Sequence, residues 1–235
     1  MKRRPRLFFS FRSPFSWLLV ERLQRELPDA HGAIKFVPFW EPDERTAAAL
    51  AERGAEIHYQ QMSRAKHLYI LQDTKRIATR LGLQMAWPVD VAPWWEPSHL
   101  GWLKARRLGL AEPFYRAVTE ARWRRGEDIS DPGVVRRLAA SIGADGDTIA
   151  SAADDPEIRA EGVDSLVAAY EDDVFGVPYF RLGWQRFWGF DRLDDFLTAY
   201  RDGAAAARPE PLAGVPAALH DLVGSYDTDT AGGCG

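Results

Sequence analysis

Ser13 and Ser16 bracket a proline and a phenylalanine directly after an aromatic run, Leu7-Phe8-Phe9-Ser10-Phe11. Each hydroxyl can donate one hydrogen bond and accept others. The run reads as a strand, Ser13-Pro14 as a turn, and Phe15, Leu18, Leu19, Leu23 and Leu27 recur at helical spacing. Ser13 then falls at the N-cap, where its oxygen accepts from an N–H of the first turn. Pro14 falls at the first helical position, where its missing N–H costs nothing. A helix that starts at a strand end favours anions, because its free N–H groups and its dipole point outward together. Capping alone also accounts for a Ser-Pro pair, so the remaining chain has to supply the rest of any site.

Other chemistries find little support. The single cysteine, Cys234, lies in a glycine-rich tail and leaves no partner for a disulfide or a CxxC pair. His31, His58, His67, His99 and His220 are scattered without ligand-like spacing, so no metal is expected. The net charge of −4 gives no reason to expect nucleic acid. Two basic clusters, Lys104 with Arg106 and Arg107, and Arg122 with Arg124 and Arg125, read as solvated helix faces. The basic residues Lys2, Arg3, Arg4 and Arg6 precede an apolar run too short for a signal peptide, and no run has the length of a membrane span. A cytoplasmic protein with no membrane partner is the expectation.

The elements that must position Ser13 follow in order. A strand over 6–11 and a helix over 14–27 lead to a second, nearly all-apolar strand over 34–40, a βαβ unit with parallel strands. From Asp43 to about Tyr170 the pattern is helical: 43–53, 60–81, a proline-rich loop over 83–97, a helix capped by Ser98, then 112–125, 131–143, 147–153 and 155–172. Strands return at 177–182 and 185–188, joined at Gly183-Trp184 as a hairpin, and Asp191 can cap a last helix over 192–200. A weak helix over 215–223 and a disordered end complete the chain. The two mixed pieces cannot cover their own apolar faces and must pack together. The fold class is therefore α/β, a thioredoxin-like fold (βαβ…ββα) with an inserted all-helical domain. Residues 1–42 with 174–203 form the thioredoxin-like part, 43–173 the insertion and 204–235 a tail.

This order, with Ser13-Pro14-Phe15-Ser16, Phe175-Gly176-Val177-Pro178 and Trp188-Gly189-Phe190-Asp191-Arg192-Leu193, resembles the DsbA-like thioredoxin superfamily. More narrowly it resembles the branch of 2-hydroxychromene-2-carboxylate isomerases and kappa-class glutathione transferases. Arg64 to Tyr69 with Asp73 is similar to a basic-aromatic helix of that branch's insertion. The resemblance spans roughly residues 6–202.

The resemblance implies a site for glutathione or another low-molecular-weight thiol. Ser13 and Ser16 stand where an oxidoreductase has its two cysteines, and hydroxyls cannot carry thiol–disulfide exchange. Ser13 would stabilise a bound thiolate. Pro14 and Phe15 would flank it, and Val177, before a cis Pro178, would hold the thiol's peptide through its backbone. Phe190 and Asp191 would meet the γ-glutamyl end, with Asp191 on the amine. Arg12, Lys66 and Trp40 would face the substrate, with Trp87, Trp94, Trp95 and Trp102 as further wall candidates of which at least half belong to the core. Three positions depart from the family pattern: Phe190 replaces an asparagine or serine, Ser10 an aspartate and Arg12 an apolar residue, and no counterpart of the family's asparagine precedes the Lys66 helix. The implied function is a glutathione-dependent isomerisation of a small aromatic or polycyclic oxo acid by a homodimer. The alternatives are a kappa-like transferase and a non-catalytic binding protein.

Overall fold

The computed structural model describes residues 4–58 and 62–203. The expectations for the tail, Cys234 and a helix over 215–223 lie outside the described residues. Four strands form one mixed sheet in the order β2-β1-β3-β4. β1 (Arg6–Phe9) runs parallel to β2 (Lys35–Pro38), with Leu7 opposite Phe36. It runs antiparallel to β3 (Tyr179–Leu182), with Phe8 opposite Tyr179. β3 turns through Gly183 and Trp184 into β4 (Gln185–Trp188), the expected hairpin. The crossover between β1 and β2 is α1 (Pro14–Glu26) followed by a single helical turn, α2 (Ala30–Ala33), where the sequence predicts a turn at Pro28-Asp29 and His31-Gly32.

Between β2 and β3 the described residues form helices and connections: α3 (Glu44–Glu52), α4 (Arg64–Arg80), α5 (Glu96–Arg107), α6 (Ala111–Arg125), α7 (Pro132–Ser141), α8 (Gly146–Ala150) and α9 (Pro156–Glu171). Asp43, Ser63, Asp131, Asp145 and Asp155 each accept a first-turn N–H with the side chain, as N-caps do. Two expected caps are corrected. Ser98 does not start α5, which begins at Glu96 with Pro97 in its first turn and Ser98 buried within it. Asp191 does not cap the last helix, because a 3-10 turn, Phe190–Arg192, comes before α10 (Leu193–Arg201) and leaves Arg192 at the cap position.

β1 is one of the two inside strands, and its Leu7, Phe8 and Phe9 are all 0% exposed. Phe9 meets Phe11, Phe36, Trp102 and Tyr115 edge-on at centroid distances of 5.2 to 5.9 Å. Because Trp102 and Tyr115 belong to α5 and α6, the inserted helices and the sheet share one core. On α10, Phe196 stacks on Phe180 at 3.8 Å. Trp40, Trp95 and Trp102 are buried in this core, whereas Trp87 and Trp94 are partly exposed. Arg122 also departs from its expected solvated face. It is buried, lies over the rings of Trp95 and Trp123, and grips the Asp90 carboxylate with both terminal nitrogens. Its planar guanidinium can stack on an aromatic face and bind a carboxylate at once.

Gly189 leaves β4 at φ 100° and ψ 166°, a conformation open essentially to glycine alone. Its N–H donates to the Pro178 carbonyl at 2.9 Å, which fixes where Phe190 and Asp191 emerge. A Gly189→Ala variant is expected to lose about 1–3 kcal/mol of stability, read as a lower urea midpoint with an unchanged slope. An unchanged midpoint would show that the backbone relaxes there freely.

Candidate active site

Three separate stretches of chain meet at the start of α1. Ser13 sits at its N-cap with φ −86° and ψ 116°. The Ser13 Oγ accepts from the Ser16 N–H at 3.2 Å and donates to the Val177 carbonyl at 3.3 Å. The Val177–Pro178 peptide is cis, as expected. Phe15 and Phe190, both half-buried, pack on the same small cluster of Trp17, Leu18, Ile77, Ala78 and Trp123. The Arg22 guanidinium lies 6.0 Å from the Phe190 ring centre. Ser13, Pro14, Phe15, Val177, Pro178 and Phe190 are thus brought together, although about 160 residues separate the two halves in sequence.

The electrostatics at this corner favour an anion. The first turn of α1 has no acidic side chain to offset its dipole. The Ser16 and Trp17 N–H groups go to the Ser13 side chain and carbonyl, and Pro14 has none. The Phe15 N–H, which has no intrahelical acceptor by helix geometry, is left as the donor of that turn. Ser16, the second serine, is buried with its Oγ turned inward to accept from the Ser10 N–H at 3.3 Å, so Ser13 is the hydroxyl at the surface.

The remaining candidates lie further out. Asp191 is exposed, with its carboxylate 3.4 Å from the Arg192 guanidinium. Lys66 is exposed on the first turn of α4 and does not join the hydrogen-bonded group around Ser13. Arg12 pairs with Glu41 at 2.9 Å and lies 5.8 Å from the Trp95 ring centre, at the rim of the turn. Trp40, expected to face the substrate, is buried instead. It stacks on His99 at 5.2 Å and donates its Nε1–H to Glu96 at 3.2 Å. Burial pushes the Glu96 carboxyl above its usual range, and the nearby Asp43 charge adds to that.

His99 is the residue that sequence reasoning missed. It is fully buried on α5 and accepts the Phe11 N–H with Nε2 at 3.1 Å. Its burial pushes the imidazole pKa down to about 3, against the Trp95 hydrogen bond and with help from the Arg122 charge. The available signal was a lone histidine set among Leu100, Trp102, Leu103 and Ala105. Among the described residues no group of three histidine, cysteine, aspartate or glutamate side chains could hold a metal ion. No described helix is long and apolar enough to cross a membrane. The corner offers a hydroxyl, a free N–H and a helix dipole, which suits stabilising an anionic nucleophile or a bound anion.

The DSBA-like thioredoxin domain model matches residues 6–201. The 2-hydroxychromene-2-carboxylate isomerase of Sphingobium xenophagum is 29% identical over 198 residues, covering 82% of this chain and 95% of that protein. The solved structure of a 2-hydroxychromene-2-carboxylate isomerase superposes with a TM-score of 0.66 at 20% identity, covering 86% of this chain and 99% of the other. That of the cytosolic disulfide reductase DsbM from Pseudomonas aeruginosa with GSH gives 0.56 at 16% identity, covering 84% and 98%. At these identities the two structural likenesses are likenesses of fold.

The buried imidazole makes stability depend on pH. In the unfolded chain His99 titrates at its ordinary value of 6.5, while folding holds it neutral down to about 3. Between these values the unfolded chain binds a proton that the folded protein refuses, so stability falls as pH falls. Relative to a His99→Gln variant, the wild type is expected to lose about 1 kcal/mol per pH unit from roughly pH 6 to 4 in urea unfolding. Parallel slopes for the two proteins would contradict a neutral buried imidazole.

Proposed function

The chain belongs to the DSBA-like thioredoxin domain family, and on that premise we propose that it is an isomerase of the 2-hydroxychromene-2-carboxylate type. In this reading it works with glutathione or a similar small thiol on a small aromatic or polycyclic oxo acid, as a homodimer. The observation that carries the reading is Ser13: a surface hydroxyl at the N-cap of α1, facing the cis Val177–Pro178 peptide, in a chain whose positions 13 and 16 carry no thiol. The 29% identity to the Sphingobium isomerase supports the reaction class. Dithiol chemistry finds no support at this corner, because serine oxygens do not exchange with disulfides.

The residues present fit a small thiol. The Ser13 hydroxyl hydrogen rests on the Val177 carbonyl at 3.3 Å, a long contact that is easily exchanged. Turning toward a bound sulfur, it would donate a charge-assisted hydrogen bond. That same turn would release the Val177 carbonyl to accept from a peptide N–H of the ligand. The Phe15 N–H and the uncompensated dipole of α1 would hold the negative charge and lower the thiol's pKa from about 8.5. The exposed Asp191 carboxylate would take the ligand's amine, and Phe190 would contribute an apolar wall with no side-chain hydrogen bond. When bound, the thiol supplies a nucleophile that adds reversibly to a conjugated double bond and leaves again without net oxidation.

Titrating the protein with glutathione at about 240 nm tests the reading through the thiolate band. A band at neutral pH is expected. Ser13→Ala is expected to lose about 1.5–3 kcal/mol of stabilisation, raising the bound thiol's pKa by about one to two units. With a chromene carboxylate, a product of unchanged mass marks isomerisation, whereas an adduct with a chlorinated aromatic marks conjugation and would replace the isomerase reading. No thiolate band, together with no effect of Ser13→Ala, would leave a binding protein and no glutathione-dependent enzyme.

A further inference from the structure

The connection from β1 to α1 has four backbone N–H groups between the last strand residue and the first helical one, and each has a defined acceptor. The Ser10 N–H goes to Ser16 Oγ at 3.3 Å and the Ser13 N–H to the Ser10 carbonyl at 3.1 Å. The Arg12 N–H goes to Ser10 Oγ at 3.2 Å. The Phe11 N–H alone goes beyond the connection and α1, to Nε2 of His99 at 3.1 Å. Ser10 Oγ also lies 3.3 Å from that same nitrogen, so the imidazole reaches the Arg12 N–H through one hydroxyl. The other ring nitrogen, Nδ1, is 2.7 Å from the Trp95 carbonyl. A carbonyl only accepts, so Nδ1 carries the proton and Nε2 is left as an acceptor. Trp40 stacks on one side of the ring, and Phe11 lies against it at 5.1 Å.

We propose that His99 is a positioning residue: a buried neutral imidazole on α5 that locks the β1–α1 turn and thereby sets where the Ser13 hydroxyl and the first turn of α1 point. This rests on the thiol-site reading above for its chemical consequence, and on hydrogen-bond geometry alone for the lock. Three properties support it. The ring is 0% exposed, so no water replaces it as acceptor. It is fixed at both nitrogens and on its faces, so it has one orientation. It belongs to the inserted helices, while Ser13 belongs to the thioredoxin-like part, so the insertion holds the site from behind. Leucine would fill similar space but leave the Phe11 N–H without an acceptor. Glutamine could restore both bonds, its oxygen to Phe11 and its amide N–H to Trp95.

The test compares wild type, His99→Leu, His99→Gln and Ser10→Ala in the full chain. The readouts are amide hydrogen exchange and the glutathione thiolate titration. In His99→Leu, the Phe11, Arg12 and Ser13 amides are expected to exchange about tenfold or more faster while Leu18 and Leu19 in α1 keep their protection. The pKa of the bound thiol is expected to rise by about one unit, and His99→Gln is expected to restore both. Ser10→Ala removes only the relay, and is expected to speed exchange at Arg12 even if His99→Leu fails to fold. Wild-type exchange in the turn of a folded His99→Leu, or at Arg12 in Ser10→Ala, would overturn the lock. If exchange changes as expected but the thiol pKa does not, the link to Ser13 is overturned. If the wild type gives no thiolate band, the thiol-site reading fails, and exchange alone then sustains or overturns the lock.

Discussion

The structure depends on how its central strand ends. β1 is buried from Leu7 to Phe9, and the chain leaves it in the interior, with Ser10 and Phe11 still buried. Backbone N–H groups at such a place cannot be left to water, and each unpaired one costs about 1–3 kcal/mol. The chain meets this need with short polar side chains and one imidazole: the Ser10, Arg12 and Ser13 donors are used locally, and the Phe11 donor goes to His99, 88 residues away. Ser13, last in that series, then turns its hydroxyl outward onto the Val177 carbonyl. Interior satisfaction and surface chemistry are two ends of one hydrogen-bonded chain.

That arrangement explains why the inserted helices are fused to the sheet. The ring of aromatic contacts around Phe9 draws on β2, α5 and α6 together, and α5 also delivers His99 to the turn. Its buried Glu96 accepts from Trp40 and from the Asp43 N–H at 2.6 Å, which ties the exit of β2 and the start of α3 to the same helix. Asp43 in turn caps α3 and accepts from Arg159 of α9. Polar groups buried in this way are costly if unpaired and specify one register when paired. The tryptophans that look in sequence like a wall for an aromatic ligand are used up in this work: Trp40, Trp95 and Trp102 are walls of the core.

The surface left at the α1 corner is modest in polar content. A hydroxyl, an N–H with no intrahelical acceptor and a helix dipole favour a single negative charge. No described imidazole or carboxylate is poised there as a general acid or base, since His99 is buried and neutral and Asp191 is exposed within the 3-10 turn, beside Arg192. What such a corner offers is position and electrostatics for an anion.

Most of the fold was legible in the sequence because the signals were local. Apolar periodicity, Asp-Pro and Ser starts, and glycine stops placed β1, α1, the βαβ unit, most of the inserted helices and the β3–β4 hairpin. Ser13 as an N-cap was legible for the same reason, from cap chemistry, whereas the cis Val177–Pro178 peptide was expected only through the family resemblance. Two failures were local and the others depended on distance. Ser98 and Asp191 look like caps in sequence, but Glu96-Pro97 had already started one helix and the backbone of Gly189 inserted a 3-10 turn before the other. Arg122 looks like a surface residue and Trp40 like a substrate wall until partners elsewhere in the chain cover them. Only the tertiary structure could assign His99, because the N–H it satisfies lies 88 residues earlier. A cap's partner is set by covalent spacing, whereas the acceptor for a buried donor at a strand end is whatever side chain the packing brings there.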